Sequence, residues 1–217
     1  MGSGWEIMRP WPRDTPAVGF DLDMTLLDTR PGIAAAFRAL SAATGVYVDT
    51  DLVVSRLGPP LATELRNWFP ADRLDEVVSI YRSLYPEHAI TMSRPLPGAV
   101  EALDELRAAG LRSMVVTAKH GPLARLHLEH LGMRVDELVG DLFAAEKATA
   151  LTMHGAELYV GDHVADMLAA RTAGIPGLGV TTGAHDADEL RAAGADLVVA
   201  DLSGFPQALR RLMRLAL

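Results

Sequence analysis

The chain contains no cysteine, which excludes disulfides and thiolate metal sites and fits a reducing compartment; a cytoplasmic location is expected. No apolar run approaches the ~18 residues of a membrane span, so no membrane partner is expected. The N-terminus, "MGSGWEIMRPWPRDTP", is polar and broken by proline, with no apolar core for a signal peptide. Residues 1–16 are therefore expected to form a disordered leader. Basic residues are in deficit, 20 against 28 acidic, for a net charge of −8. A nucleic-acid backbone wants a basic face, so nucleic acid is excluded as a partner. A small phosphate ligand is not, because one local pocket can be positive within an acidic protein.

With 217 residues, 49% hydrophobic and 22% charged, the chain suits one large domain or a core domain with a smaller insertion. Short apolar runs rich in β-branched residues predict strands at 17–23, 113–119, 157–162, 177–182 and 196–200. Helical patterns fill 98–109, 122–131, 164–173, 186–193 and 203–215. Apolar strands alternating with helices indicate an α/β fold, a Rossmann-like parallel sheet with helices on both faces. In such sheets ligands sit at the carboxyl ends of the strands, where Asp21, Asp23, Thr117 and Asp162 are placed. Residues 31–94 break the alternation with helical patterns alone, Pro31 standing where a first helical turn accepts it. Sixty-odd residues are too many for a loop. They read as an inserted helical cap, leaving 17–30 and 95–217 as the core.

"VGFDLDMTLLDT" places two acids two residues apart at the end of an apolar strand. Side chains at i and i+2 of an extended chain point the same way. Adjacent carboxylates repel unless a cation or proton lies between them, and oxygen-rich clusters suit Mg²⁺. A turn whose acids merely face water is the alternative. "VGDHVADM" adds Asp162 at a strand end and Asp166 on the first turn of the next helix. "VVTAKH" ends a strand at Thr117 ahead of a helix whose amides offer an anion seat. Lys147, in "AAEKATAL", is a possible counter-charge for phosphate.

In this order and spacing, the four motifs resemble the haloacid dehalogenase-like superfamily of phosphotransferases over roughly residues 17–200. The resemblance implies that Asp21 is a nucleophile forming an aspartyl-phosphate and Asp23 the acid–base. It implies phosphate binding by Thr117, Ala118 and Lys147. Mg²⁺ would be held by Asp21, Asp162 and the carbonyl of Asp23, with Asp166 in support. An acid at position 23 favours an alkoxide leaving group, which needs a proton, over a halide, which does not.

The helical insertion is similar to the cap of the phosphoglycolate-phosphatase-like branch, and "RLGPPL" (56–61) to its substrate loop, with Arg56 a candidate for a substrate carboxylate or second phosphate. Four departures stand out. Met24 replaces the usual Gly and could reshape the pocket floor; Ala118 replaces the usual Asn; the usual proline is absent at Ala148, which leaves Lys119 as an alternative to Lys147. His120 is distinctive and, with Lys119, could face the pocket, while His163 reads as loop surface. The implied activity is Mg²⁺-dependent hydrolysis of a small phosphorylated metabolite by a monomer or homodimer. A phosphomutase, or a non-catalytic phosphometabolite binder, is the alternative. The absence of lysine before residue 119 excludes the relatives that need a cap lysine for a Schiff base.

Overall fold

The computed structural model describes residues 15–213; the expected leader, apart from Thr15 and Pro16, and the last four residues lie outside them. Elements follow in the order β1 (Ala17–Phe20), β2 (Leu27–Asp28), α1 (Arg30–Thr44), α2 (Thr50–Val54), α3 (Leu61–Leu65), α4 (Leu74–Ala89), β3 (Arg94–Pro95), α5 (Ala99–Ala108), β4 (Arg112–Val116), α6 (Gly121–His130), β5 (Glu137–Val139), α7 (Ala145–Met153), β6 (Ala156–Gly161), α8 (Val164–Ala173), β7 (Gly177–Val180), α9 (Ala187–Ala193), β8 (Leu197–Val199) and α10 (Phe205–Leu212).

Six strands form one parallel sheet in the order β5-β4-β1-β6-β7-β8. The chain leaves β1, builds outward through β4 to β5, then crosses to β6 on the other flank of β1. The reversal around β1 opens a crevice at the strand ends, where ligands bind in such sheets. Alternation along β1 feeds two cores. Val18 and Phe20 join α5, α6 and α10 on one face, while Ala17 joins α7 and α8 on the other. A sheet covered on both faces is the arrangement that continuous apolar strands require.

Three differences from the sequence reading are local. β1 ends at Phe20 rather than Asp23. The Asp21 amide still bonds to Val160, but the Leu22 carbonyl then accepts from the amides of Thr25, Leu26 and Leu27, turning the chain. β5 has only three half-buried residues at the sheet edge, too few to show a period. β2 and β3 pair antiparallel over two residues each, and no sequence pattern marks them.

Between β2 and β3 the described elements are all helical. They hold a third apolar cluster of their own, built on Phe37, Leu40, Leu65, Val77, Tyr81 and Tyr85, which reaches the rest of the chain at Leu123 of α6.

Candidate active site

The site is assembled from the loops that follow β1, β4 and β6. Asp21, Asp162 and Asp166 are buried, with oxygens all within 4.8 Å of one another. Among them sits a single cation. Lys147, in the first turn of α7 and 3% exposed, donates to Asp21 Oδ1 at 2.8 Å and to Asp166 Oδ1 at 2.7 Å. Burial, opposed by Lys147 and reinforced by Asp166 and Asp23, leaves the Asp21 carboxyl raised to about 6. Burial and then the Asp21 and Asp166 charges also raise Asp162 well above the carboxylate range. Lys147 is held charged: burial disfavours its ammonium, but Asp166 and Asp21 more than offset that.

Neighbouring groups orient this cluster. The Thr25 hydroxyl donates to Asp162 Oδ1 at 2.8 Å. Tyr159 lies beneath, its hydroxyl donating to the Val116 carbonyl and to Asp166 Oδ1. Asp166 Oδ2 accepts from the His163 amide in a capping box that starts α8. Three carboxylates against one ammonium leave an excess of buried negative charge, which is costly unless a cation joins them. An all-oxygen donor set of this kind fits a hard divalent ion, and Gly183 leaves the space beside it open: a β-carbon there would stand 1.8 Å from Asp162 Oδ2.

Asp23 points elsewhere, because the chain has turned. Its carboxylate accepts from Lys119 Nζ at 2.9 Å and from the Thr29 hydroxyl. Burial would raise it, but Lys119 and Thr29 win and its proton affinity is lowered. Lys119 also lies 4.8 Å from the centre of the Tyr85 ring. The Tyr85 hydroxyl meets His127 Nε2 at 3.0 Å, and Ser93 Oγ meets Nδ1 at 2.7 Å. Burial, then Lys119, drops His127 to about 3, so the imidazole is neutral and ties α4 to α6 by hydrogen bonds.

The only two lysines in the chain thus stand at the two acids of the first motif. Lys147 reaches the Asp21 cluster without the absent proline, and Lys119 holds Asp23. Thr117, Ala118, Lys119 and His120 line a cavity of about 200 Å³ together with Asp21 and Asp23. His120 faces Asp141 at 3.0 Å. Arg56 also lines the cavity, but Glu64 takes its guanidinium through two bonds, at 2.8 and 2.7 Å.

Two expectations are corrected. Met24 is buried, outside the cavity lining, and its φ of 62° gives the physical reason that glycine suits this turn. His163 is not loop surface. Its ring packs on His185 and Phe143 and meets Gly58 of the 56–61 loop. Gly58 has φ +137°, and a β-carbon there would stand 2.4 Å from His163 Cδ2. No sequence motif points to Tyr159 or Glu64; Thr29, just ahead of the Pro31 helix start, carries a local signal.

A parallel sheet with a carboxylate cluster at its reversal point, beside a cavity lined by apolar and charged side chains, is the layout of an α/β enzyme. The chain belongs to the haloacid dehalogenase-like hydrolase family, whose model matches residues 18–182. It is 31% identical to a probable phosphatase, IndB, of Dickeya dadantii, over 93% of this chain and 96% of that one. It is also 31% identical to a phosphoglycolate phosphatase of Agrobacterium fabrum, over 90% and 92%. A solved haloacid dehalogenase-like hydrolase from Streptococcus pneumoniae superposes with a TM-score of 0.78 at 27% identity, covering 90% of this chain and 99% of that one. Among the described residues no helix is long and apolar enough to cross a membrane.

Proposed function

We propose that this protein hydrolyses a small phosphate monoester through an aspartyl-phosphate on Asp21. The observation that carries the reading is Asp21 itself, a carboxylate at the cavity floor with a buried ammonium on one oxygen. Asp21 attacks phosphorus and the ester P–O bond breaks, the departing oxygen taking a proton from Asp23. Water then attacks the phosphorus, yields a proton to Asp23, and phosphate leaves with the Asp21 carboxylate restored. Asp23 is ionised while Lys119 holds it; an entering phosphoryl dianion raises its proton affinity and competes for the lysine. Thr117, the Ala118 backbone and Lys147 hold the transferring oxygens. Asp21, Asp162 and the Asp23 carbonyl, with Asp166 beside them, would hold Mg²⁺, which when bound would supply the positive charge that lets a carboxylate approach an anion.

Residues 31–94 act in this reading as a cap that encloses the phosphate ester and excludes water, with 17–30 and 95–217 as the core. The contact between Gly58 and His163 is the seat of its loop. Gly58→Ala would displace the loop, since φ +137° and the His163 ring both oppose a side chain. We expect KM to rise about tenfold with kcat moving less, consistent with a cost on the order of 1–3 kcal/mol. Steady-state kinetics decide this, and an unchanged KM removes the loop from substrate binding.

The test of the function is phosphate release from some tens of small phosphate esters, with Mg²⁺ and with EDTA. Release that needs the metal is expected, with turnover restored when Mg²⁺ is returned. Release unaffected by EDTA would sink the metal-assisted reading. Isomerised ester without phosphate would point to a mutase.

A further inference from the structure

The charges around the cavity bear on which ester it takes. Its lining carries three full cations, Lys119, Arg56 and Arg82, and four carboxylates, Asp21, Asp23, Glu64 and Asp141. Each cation already faces an acid: Lys119 faces Asp23 at 2.9 Å, Arg56 faces Glu64 at 2.7 Å and Arg82 faces Asp141 at 3.1 Å. His120 shares Asp141. Glu64 is itself fixed, for Trp68 Nε1 donates to its Oε1 at 2.8 Å while the Arg56 fork holds both oxygens, a geometry specific to guanidinium and carboxylate. Arg82 Nε is buried with no partner among the described residues, while its Nη2 is held by Asp141 at 3.1 Å. The lining also carries apolar side chains, Ile33, Phe37, Val53, Leu57 and Leu123, with the Tyr81 ring among them.

Resting on the phosphatase reading, we infer that the alcohol half of the substrate is uncharged and carries an aromatic or branched apolar body, and that Glu64, by holding Arg56, turns away esters with a second anionic group. A carboxylate packed against these apolar side chains would lose water and find each lining cation already facing an acid, and burying a poorly paired charge is costly. An apolar body loses nothing there and gains by leaving water. The cavity is also smaller than the roughly 300–1,000 Å³ of sites for drug-sized ligands, so the body is one ring or its equivalent.

The experiment compares kcat/KM for phosphate release from 2-phenylethyl phosphate and 2-phosphoglycolate, with Mg²⁺, in the wild type and in Glu64→Gln. The wild type should prefer the phenylethyl ester by about 100-fold. Glu64→Gln keeps an acceptor for Trp68 but loses the charge that holds Arg56, and should narrow that ratio by about tenfold or more. If Glu64→Gln does not fold, the double variant Arg56→Leu, Glu64→Leu should widen the ratio instead. A wild type that prefers 2-phosphoglycolate, or treats the two alike, overturns the inference and leaves the phosphatase reading standing. An unchanged ratio in Glu64→Gln overturns the assignment of Glu64. No metal-dependent release from these or any ester removes the phosphatase reading, and this inference with it.

Discussion

Asp21→Asn should abolish phosphate release, by roughly 10⁴- to 10⁶-fold as for other nucleophile losses, without weakening the metal-free fold. The activity loss follows because an amide cannot form the covalent intermediate. The stability result is less intuitive and comes from the charges beneath. Asp21 is crowded by burial and by Asp166 and Asp23, which with Lys147 acting against them leave its carboxyl at about 6. A raised carboxylate contributes stability that is complete below about 3.8 and is lost as pH rises through about 6. In EDTA, the wild type should therefore lose stability relative to Asp21→Asn between about pH 4 and 7, and Mg²⁺ should cancel much of that loss. Thermal melts of both proteins across this range, beside turnover, make the check. A variant that keeps normal turnover ends the nucleophile assignment; one that melts well below the wild type at pH 7 in EDTA ends the account of charge crowding.

The same residues show where sequence reasoning succeeds and where it stops. Val18 and Phe20 on one face, Ala17 on the other, read as a strand buried twice over, and five of the six sheet strands follow from repeating that pattern, β5 being too short to show it. Asp21, Thr117 and Asp162 could be assigned to strand ends, and Asp166 to the first helical turn after Asp162, because a parallel sheet gathers those ends in one place. The turn after Phe20 could not, since it rests on one carbonyl, Leu22, accepting three amides, and Met24 is not a residue that announces a positive φ. As a result Asp23 was expected beside Asp21 on one extended face, whereas it faces Lys119. Pairings across long separations were invisible for a similar reason. Nothing local says that Lys119 meets a residue 96 positions earlier, or that His163 meets Gly58. Even the Arg56–Glu64 pair, eight residues apart, depends on a loop bending back onto α3. Arg56 could be recognised as chemically useful, but not as already engaged.

The second large effect is expected at Lys147. Replacing it by Met keeps much of the side chain's length and removes the one ammonium among Asp21, Asp162 and Asp166. Breaking a buried pair by removing one partner costs about 3–5 kcal/mol, and for a chain of this length each kcal/mol moves Tm by roughly 2–4 °C. Lys147→Met should therefore melt roughly 6–20 °C below the wild type in EDTA at neutral pH. Mg²⁺ should raise its Tm by more than it raises that of the wild type, since the ion is then the only positive charge the three carboxylates have. Turnover should fall by about 10²- to 10³-fold, because a phosphoryl group would meet Asp21 with one fewer donor on its oxygens. Lysine is rare enough here to make the contrast clean: Lys119, the only other one, is engaged with Asp23 and can replace Lys147 only by releasing that acid. The decisive comparison is Lys119→Met. It should also depress turnover, yet without the strong Mg²⁺-dependent recovery of Tm, because Asp23 keeps the Thr29 hydroxyl and lies outside the three-carboxylate cluster. Equal metal responses in the two variants would mean that the buried charge is not localised at Asp21, Asp162 and Asp166, and the proposed seat of the ion would have to move.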